Sequence, residues 1–386
     1  SYIYITSPIA AKAIKVPVII PLIPYLPRIF NLDFLPPLYF TYWIIILAII
    51  AIPHEFAHGI FARLNKIRIH STGFGFLGPF LAAFVEPAEK PMEKAKKFPQ
   101  LAILAAGTFA NVITTIIFAI IFWLFFITTF TPAGVIFNTY ATETIPISSI
   151  TTVNNITISS IDEISDLINK EETFTEIKSN GESNFIISNQ LLLSIENDLE
   201  QIPVFLDSPA FNARLSGAIT EIDGEKITNI EELRSTLQAH SPGENILIRT
   251  VKDKQIEEYN IKLDEREGKA FLGIGIIPPP QGKGIMGSIY SLITAIKDPF
   301  THYDSSLGDL GIFIKDLLWW TVLICLSVAL VNMLPLGIFD GGRFFYLTIW
   351  GLTGSKSLGA KAFKASTYLI LLLIAALMVK WIFIFI

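Results

Sequence analysis

Residues 38–62 read LYFTYWIIILAIIAIPHEFAHGIFA. The run is long enough to cross a bilayer, which needs roughly 20 mostly apolar residues. Its second half nevertheless holds His54, Glu55 and His58. Burying ionisable side chains in a membrane helix costs several kcal/mol unless they are paired or ligated. In the pattern HExxH the two histidines stand at i and i+4, on one face of a helix. They are placed to hold one Zn²⁺, with the intervening Glu55 beside the water that the metal activates. The plainer alternative is a polar knot between helices with no metal.

Further runs of the same kind cover residues 101–130, 317–336 and 366–386, so four spans are expected. Residues 1–36 are also apolar, but Pro17, Pro21, Pro24 and Pro27 rule out an uninterrupted helix there. A re-entrant or interfacial segment fits them. Hydrophobic residues make up 52% of the 386-residue chain and charged residues 16%. Soluble domains have about 45–50% and about 25%. With one cysteine and a net charge of −5, the chain is not disordered, not a disulfide scaffold and not a basic nucleic-acid binder.

The loop after the first span carries Arg63, Lys66, Arg68, Lys90, Lys94, Lys96 and Lys97, and Arg343, Lys356, Lys361 and Lys364 precede the fourth. Short basic loops face the cytoplasm. The polar insertion of about 150 residues from Thr131 to Lys283 is then extracytoplasmic. Within it, residues 153–164 (VNNITISSIDEI) align without a gap with residues 222–233 (IDGEKITNIEEL), about 69 residues later. Each copy reads as strand, tight turn, short strand and amphipathic helix. The helix opens on a Ser, Thr or Asn cap with acidic residues in its first turn. The second copy, with Ser208-Pro209-Ala210, Gly217-Ala218-Ile219, Asp223-Gly224 and Ile227, resembles a PDZ domain of the protease-associated kind. The first is more degenerate. PDZ domains take extended peptides by strand addition, and a steric spacer is the alternative role.

Two histidines do not complete a catalytic zinc site, which has three protein ligands and an open position. Asp340, in Asn332-Met-Leu-Pro335-Leu-Gly337-Ile-Phe-Asp340-Gly341-Gly342, is the candidate third ligand. Pro335 and Gly337 break the third span just before it. His54 lies roughly 24 Å along the first span at 1.5 Å per residue, toward the cytoplasmic side. The third span reaches Asp340 at its own cytoplasmic end, so both halves arrive at similar depth. The apolar, glycine-rich segment Thr72–Val85 reads as a hairpin dipping into the membrane.

HEFAH on one membrane helix and NMLPLGIFDGG on a later one resemble the site-2 protease family of intramembrane zinc metalloproteases. Gly107-Thr108-Phe109-Ala110-Asn111 matches that family's Gly-x-x-x-Asn stretch, with Thr108 where proline is common. Phe339 stands where the family usually has leucine. The resemblance implies that His54, His58 and Asp340 hold Zn²⁺ and that Glu55 is the general base. It implies that Asn111 and Asn332 bind substrate backbone freed when a helical substrate unwinds. Interhelical hydrogen bonding is the alternative for both asparagines.

The fold expected is a multi-pass α-helical membrane protein with an inserted pair of small α+β PDZ-like domains. Its parts are the N-terminal segment 1–36, a first half-core 37–131, PDZ-like domains 132–205 and 206–282, and a second half-core 283–386. The activity expected is hydrolysis of single-span membrane proteins in the cell membrane, with the PDZ-like domains filtering or docking substrates. Partners would be those substrates, the lipid bilayer and a peptide or protein ligand of the PDZ-like domains, with no nucleic acid. Two other classes compete. A catalytically silent scaffold has no reason to keep Glu55, and a metal transporter would show inverted repeats.

Overall fold

The computed structural model describes residues 24–25, 36–77, 80–160, 163, 167–168, 173–181, 183–193, 200–277 and 297–385. The proline-broken N-terminal segment lies almost entirely outside them. The chain divides into two compact units, one holding Thr131–Asp304 and the other Lys15–Phe130 with Ser305–Ile386.

Among the described residues the apolar unit has five helices longer than two turns, α1 (Phe40–Leu64), α2 (Lys97–Thr129), α3 (Gly308–Asn332), α4 (Asp340–Thr353) and α5 (Lys356–Phe385), and a short one at Glu89–Lys94. Of the five, all but α4 are long and apolar enough to cross a membrane. In lipid, helices associate through close packing and hydrogen bonds rather than through the hydrophobic effect. Tyr42, Ile46 and Ile50, spaced along one face of α1, meet Trp320, Ile324 and Cys325 of α3. Cys325 donates from Sγ to the Asn111 carbonyl of α2 at 3.2 Å. Farther along, Ala62 of α1 packs with Ile103 and Leu104 of α2 and Leu347 of α4.

Two span starts differ from the sequence reading by nine or ten residues. α3 begins at Gly308 rather than near Leu317, taking in Lys315 and Asp316. The apolar run stops at those charges, but the helix does not. Lys315 Nζ lies 3.0 Å from Asp316 Oδ1, and Asp316 is buried against the bundle. α5 begins at Lys356 rather than near Ser366. Lysines near a helix end reach the interface on their long stems. The short helix α4, between the third and fourth spans, was not expected.

α3 stops where Pro335 cannot continue it. The chain then turns tightly, with Leu336 N–H donating to Leu334 O and Phe339 N–H to Leu336 O. α4 starts directly at Asp340 and lies hard against this turn. A Cβ on Gly341 would collide with the Met333 and Leu334 backbone, and one on Gly342 with Leu336 and Gly337. The two glycines after Asp340 thus let α4 close onto the end of α3.

After α1, strands β1 (Ile69–Leu77) and β2 (Phe80–Pro87) form an antiparallel hairpin, as the alternating glycine-rich segment suggested. It lies against α1, and a Cβ on Gly59 would meet Val85 Cγ1 at 3.1 Å.

In the inserted unit the described strands of the two copies pair alike. Ile150–Val153 turns into Ile156–Thr157, and Ala218–Ile222 turns into Glu225–Lys226. The turns place Asn154-Asn155 (φ 49° and 63°) and Asp223-Gly224 (φ 48° and 86°) in the left-handed region. This is the two-residue hairpin geometry that favours Asn, Asp and Gly. Each first strand then pairs with the strand after the helix segment, Phe174–Ser179 or Asn245–Lys252. Both pairings shift register at the equivalent step, between Ile150 and Thr152 and between Ile219 and Glu221. The helix expected in the first copy falls largely outside the described residues. Its counterpart, Ile230–Ala239, is capped as the sequence suggested, with Asn229 Oδ1 accepting from Glu232 N–H at 2.9 Å. Glu232 accepts in return from the Thr228 hydroxyl and N–H, which holds its carboxyl below the ordinary value. Phe174 of the first copy meets Phe211 of the second edge-to-face at a ring separation of 5.3 Å, and Phe205 packs on it at a tilt at 5.9 Å.

Candidate metal centre

His54 and His58 follow Pro53 on α1 and are each 8% exposed. Their Nε2 atoms face each other at 3.1 Å. Asp340 Oδ2, at the start of α4, lies 3.2 Å from each of them. The first two donors come from one helical turn, and the third from 282 positions later. The three atoms form a nearly equilateral triangle. Donors held tetrahedrally at 2.0–2.1 Å from Zn²⁺ stand roughly 3.3 Å apart. Two imidazoles and a carboxylate at this spacing therefore fit a zinc ion with its fourth position open.

α2 supplies no ligand but forms a wall of the site. His58 Nδ1 lies 2.7 Å from the Ile103 carbonyl. A carbonyl only accepts, so Nδ1 carries the proton and the Nε2 lone pair points into the triangle. One turn on, Gly107 faces the histidines. A Cβ there would collide with His58 Nε2 and with Cε1 and Nε2 of His54. Since a helical Cβ leans toward the preceding turn, the bare Gly107 also leaves the Ile103 carbonyl open to His58. One turn further, Asn111 is fully buried, its Nδ2 3.1 Å from His54 Nδ1.

Glu55 points elsewhere. Its Oε2 accepts from the Val85 N–H of β2 at 2.9 Å. That N–H is therefore spent on the helix and not on β1, and the outer edge of β2 runs beside Glu55. Asn332 is the last residue of α3, partly exposed, and its side chain makes no hydrogen bond among the described residues.

The structure thus brings His54, His58 and Asp340 together, sets Asn111 behind His54, and leaves Glu55 and Asn332 outside the triangle. The sequence reading did not find the Ile103 carbonyl or the Val85 N–H, because a backbone atom has no residue signature. It also missed the buried Asp316, which stands at the edge of the apolar run and inside the helix.

The chain is 23% identical over 162 residues to the zinc metalloprotease RasP of Geobacillus kaustophilus (strain HTA426), a region that is 35% of this chain and 38% of that relative. The chain therefore matches well under half of the relative's length. The profile described as peptidase family M50 matches residues 42–377, from α1 through α5. The chain belongs to peptidase family M50.

Proposed function

We propose that the chain is an intramembrane zinc metalloendopeptidase that cleaves membrane-spanning segments of single-span proteins. One observation carries the reading. Two histidines and an aspartate, on helices that meet inside an apolar unit, converge at zinc spacing with a glutamate between the histidines in sequence. Family membership and the zinc metalloprotease relative support it.

His54, His58 and Asp340 would hold Zn²⁺. When bound, the ion polarises a carbonyl and makes water a better acid. Glu55 takes the proton from the attacking water and passes it to the nitrogen of the departing amine. The Val85 N–H holds one carboxylate oxygen and fixes the orientation of Glu55, leaving the other for proton transfer. The scissile amide must be presented in extended form, since a helix interior has no free backbone groups. The outer edge of β2, beside Glu55, offers a partner for such a strand. Asn332, the partly exposed last residue of α3, receives a carbonyl that unwinding exposes.

The two repeats of the insertion are read as PDZ-like domains. They filter substrates by size or dock them on the extracytoplasmic side, as the basic short loops orient the chain. The aromatic contact between Phe174, Phe205 and Phe211 supports their acting as one body.

The test compares wild type with Glu55→Gln in detergent, measuring bound zinc and cleavage of a single-span model substrate. The expected result is one zinc in each and cleavage by the wild type only. Equal cleavage by both removes Glu55 from the mechanism. Stoichiometric zinc with no cleavage of any substrate by the wild type refutes the protease reading.

A further inference from the structure

The side chain of Asn111 bears on His54 through Nδ1, the ring nitrogen not directed at Asp340. As oriented, the amide nitrogen faces the ring, while Oδ1 is buried without a hydrogen-bond partner among the described residues. An amide nitrogen can only donate. This orientation would make Nδ1 the acceptor and put the ring proton on Nε2. That proton would fill the space between His54 Nε2, His58 Nε2 and Asp340 Oδ2, which lie 3.1–3.2 Å apart. It would leave no lone pair for a metal. The two ends of a carboxamide have almost the same shape and exchange by a half-turn about its last bond. No hydrogen bond of Oδ1 among the described residues holds the amide against that half-turn. Once exchanged, Oδ1 accepts from His54 Nδ1–H, and the Nε2 lone pair points into the triangle.

The geometry points to Asn111 as the positioning residue that locks His54 in its metal-binding tautomer. The inference rests on the metalloprotease reading and extends it to a residue outside the ligand set. α2 then acts on the centre at three successive turns. Ile103 offers its carbonyl to His58, Gly107 makes room for both rings, and Asn111 offers Oδ1 to His54. This accounts for the Gly-x-x-x-Asn spacing as a device for holding two imidazoles, with each residue type required by its task.

The full chain is purified in detergent as wild type, Asn111→Leu and Asn111→Asp. Zinc affinity is measured by chelator competition. The protonation state of each ring nitrogen is read in zinc-free protein at pH 9 from ¹⁵N-histidine NMR, with His54 assigned by its absence in His54→Gln. The wild type should show His54 protonated at Nδ1. Asn111→Leu should bind zinc about 10–100-fold more weakly, the usual cost of losing such an outer partner. Asn111→Asp, which can only accept, should restore affinity to within about threefold. A role for Asn111 as donor, or as mere packing, predicts no such rescue. His54 protonated at Nε2, zinc binding by Asn111→Leu equal to wild type, or Asn111→Asp as weak as Asn111→Leu would each overturn the inference. If Asn111→Leu fails to fold, the aspartate variant and the tautomer still decide it. A wild type that holds no zinc refutes the metalloprotease reading alone, since the tautomer is measured without metal.

Discussion

Gly107→Ala is the most local perturbation of the centre, because it adds one methyl group and replaces no ligand. The new Cβ would stand 2.6 Å from His54 Nε2 and 2.5 Å from His54 Cε1, and would also collide with His58 Nε2. Ordinary contact begins at 3.4 Å, so the rings must retreat by roughly 0.8 to 1.0 Å, and overpacking of that kind costs about 1–3 kcal/mol. The histidines sit on α1 and the methyl on α2. Relief therefore comes from turning the rings off their acceptors or parting the two helices, and either opens the donor triangle. At about 1.4 kcal/mol per decade, the strain corresponds to roughly 5- to 150-fold weaker zinc binding. The helix itself gains, since Ala is favoured over Gly in a helix interior by about 0.8–1.0 kcal/mol. Chelator competition measures zinc affinity, and thermal unfolding of the zinc-free protein, followed by circular dichroism, reports the scaffold. The expected result is a large loss of zinc affinity with little loss of zinc-free stability. Zinc binding as tight as in the wild type would refute the claim that Gly107 exists to admit the two imidazoles.

Other outcomes follow from the same contacts. Asn229→Ala removes the cap of Ile230–Ala239 and should destabilise that helix by about 1 kcal/mol, read as faster amide exchange confined to its first turn. The Thr228 hydrogen bonds that depress the Glu232 carboxyl stabilise the same helix end above the unfolded glutamate value. That contribution is lost as pH falls through the lower folded value, so exchange protection there should weaken with acid. Asp316→Leu leaves Lys315 without its 3.0 Å partner and should destabilise the apolar unit by up to about 3 kcal/mol. The double change Lys315→Leu with Asp316→Leu should recover most of the loss, and a thermal melt in detergent decides between the two.

The parts of the protein that the sequence made legible are those whose physics is local. Hydrophobic run length marked the spans, because backbone groups in lipid must be satisfied within one helix. His54 and His58 announced themselves because i and i+4 share a face whatever the surroundings. The repeat was visible because its turns demand Asn, Asp or Gly at positive φ, and the two hairpins bear that out at Asn154-Asn155 and Asp223-Gly224. Where local reasoning ended the third span at a charge, it missed the true start at Gly308, since the Lys315–Asp316 pair is tolerated by packing that no single segment encodes.

The sequence by itself determined that a membrane protein carries a two-histidine metal motif and a two-copy insertion. Only the tertiary structure decided that Asp340 meets both imidazoles at 3.2 Å, through glycines that let α4 close on the end of α3. It alone turned Gly107 and Asn111 from a spacing into a wall behind the histidines. It also showed that a backbone carbonyl and a backbone N–H, from Ile103 and Val85, hold His58 and Glu55. The reason is physical: ligands that share a helical turn are related by local geometry, whereas a backbone atom or a residue 282 positions away enters the site only when the helices pack.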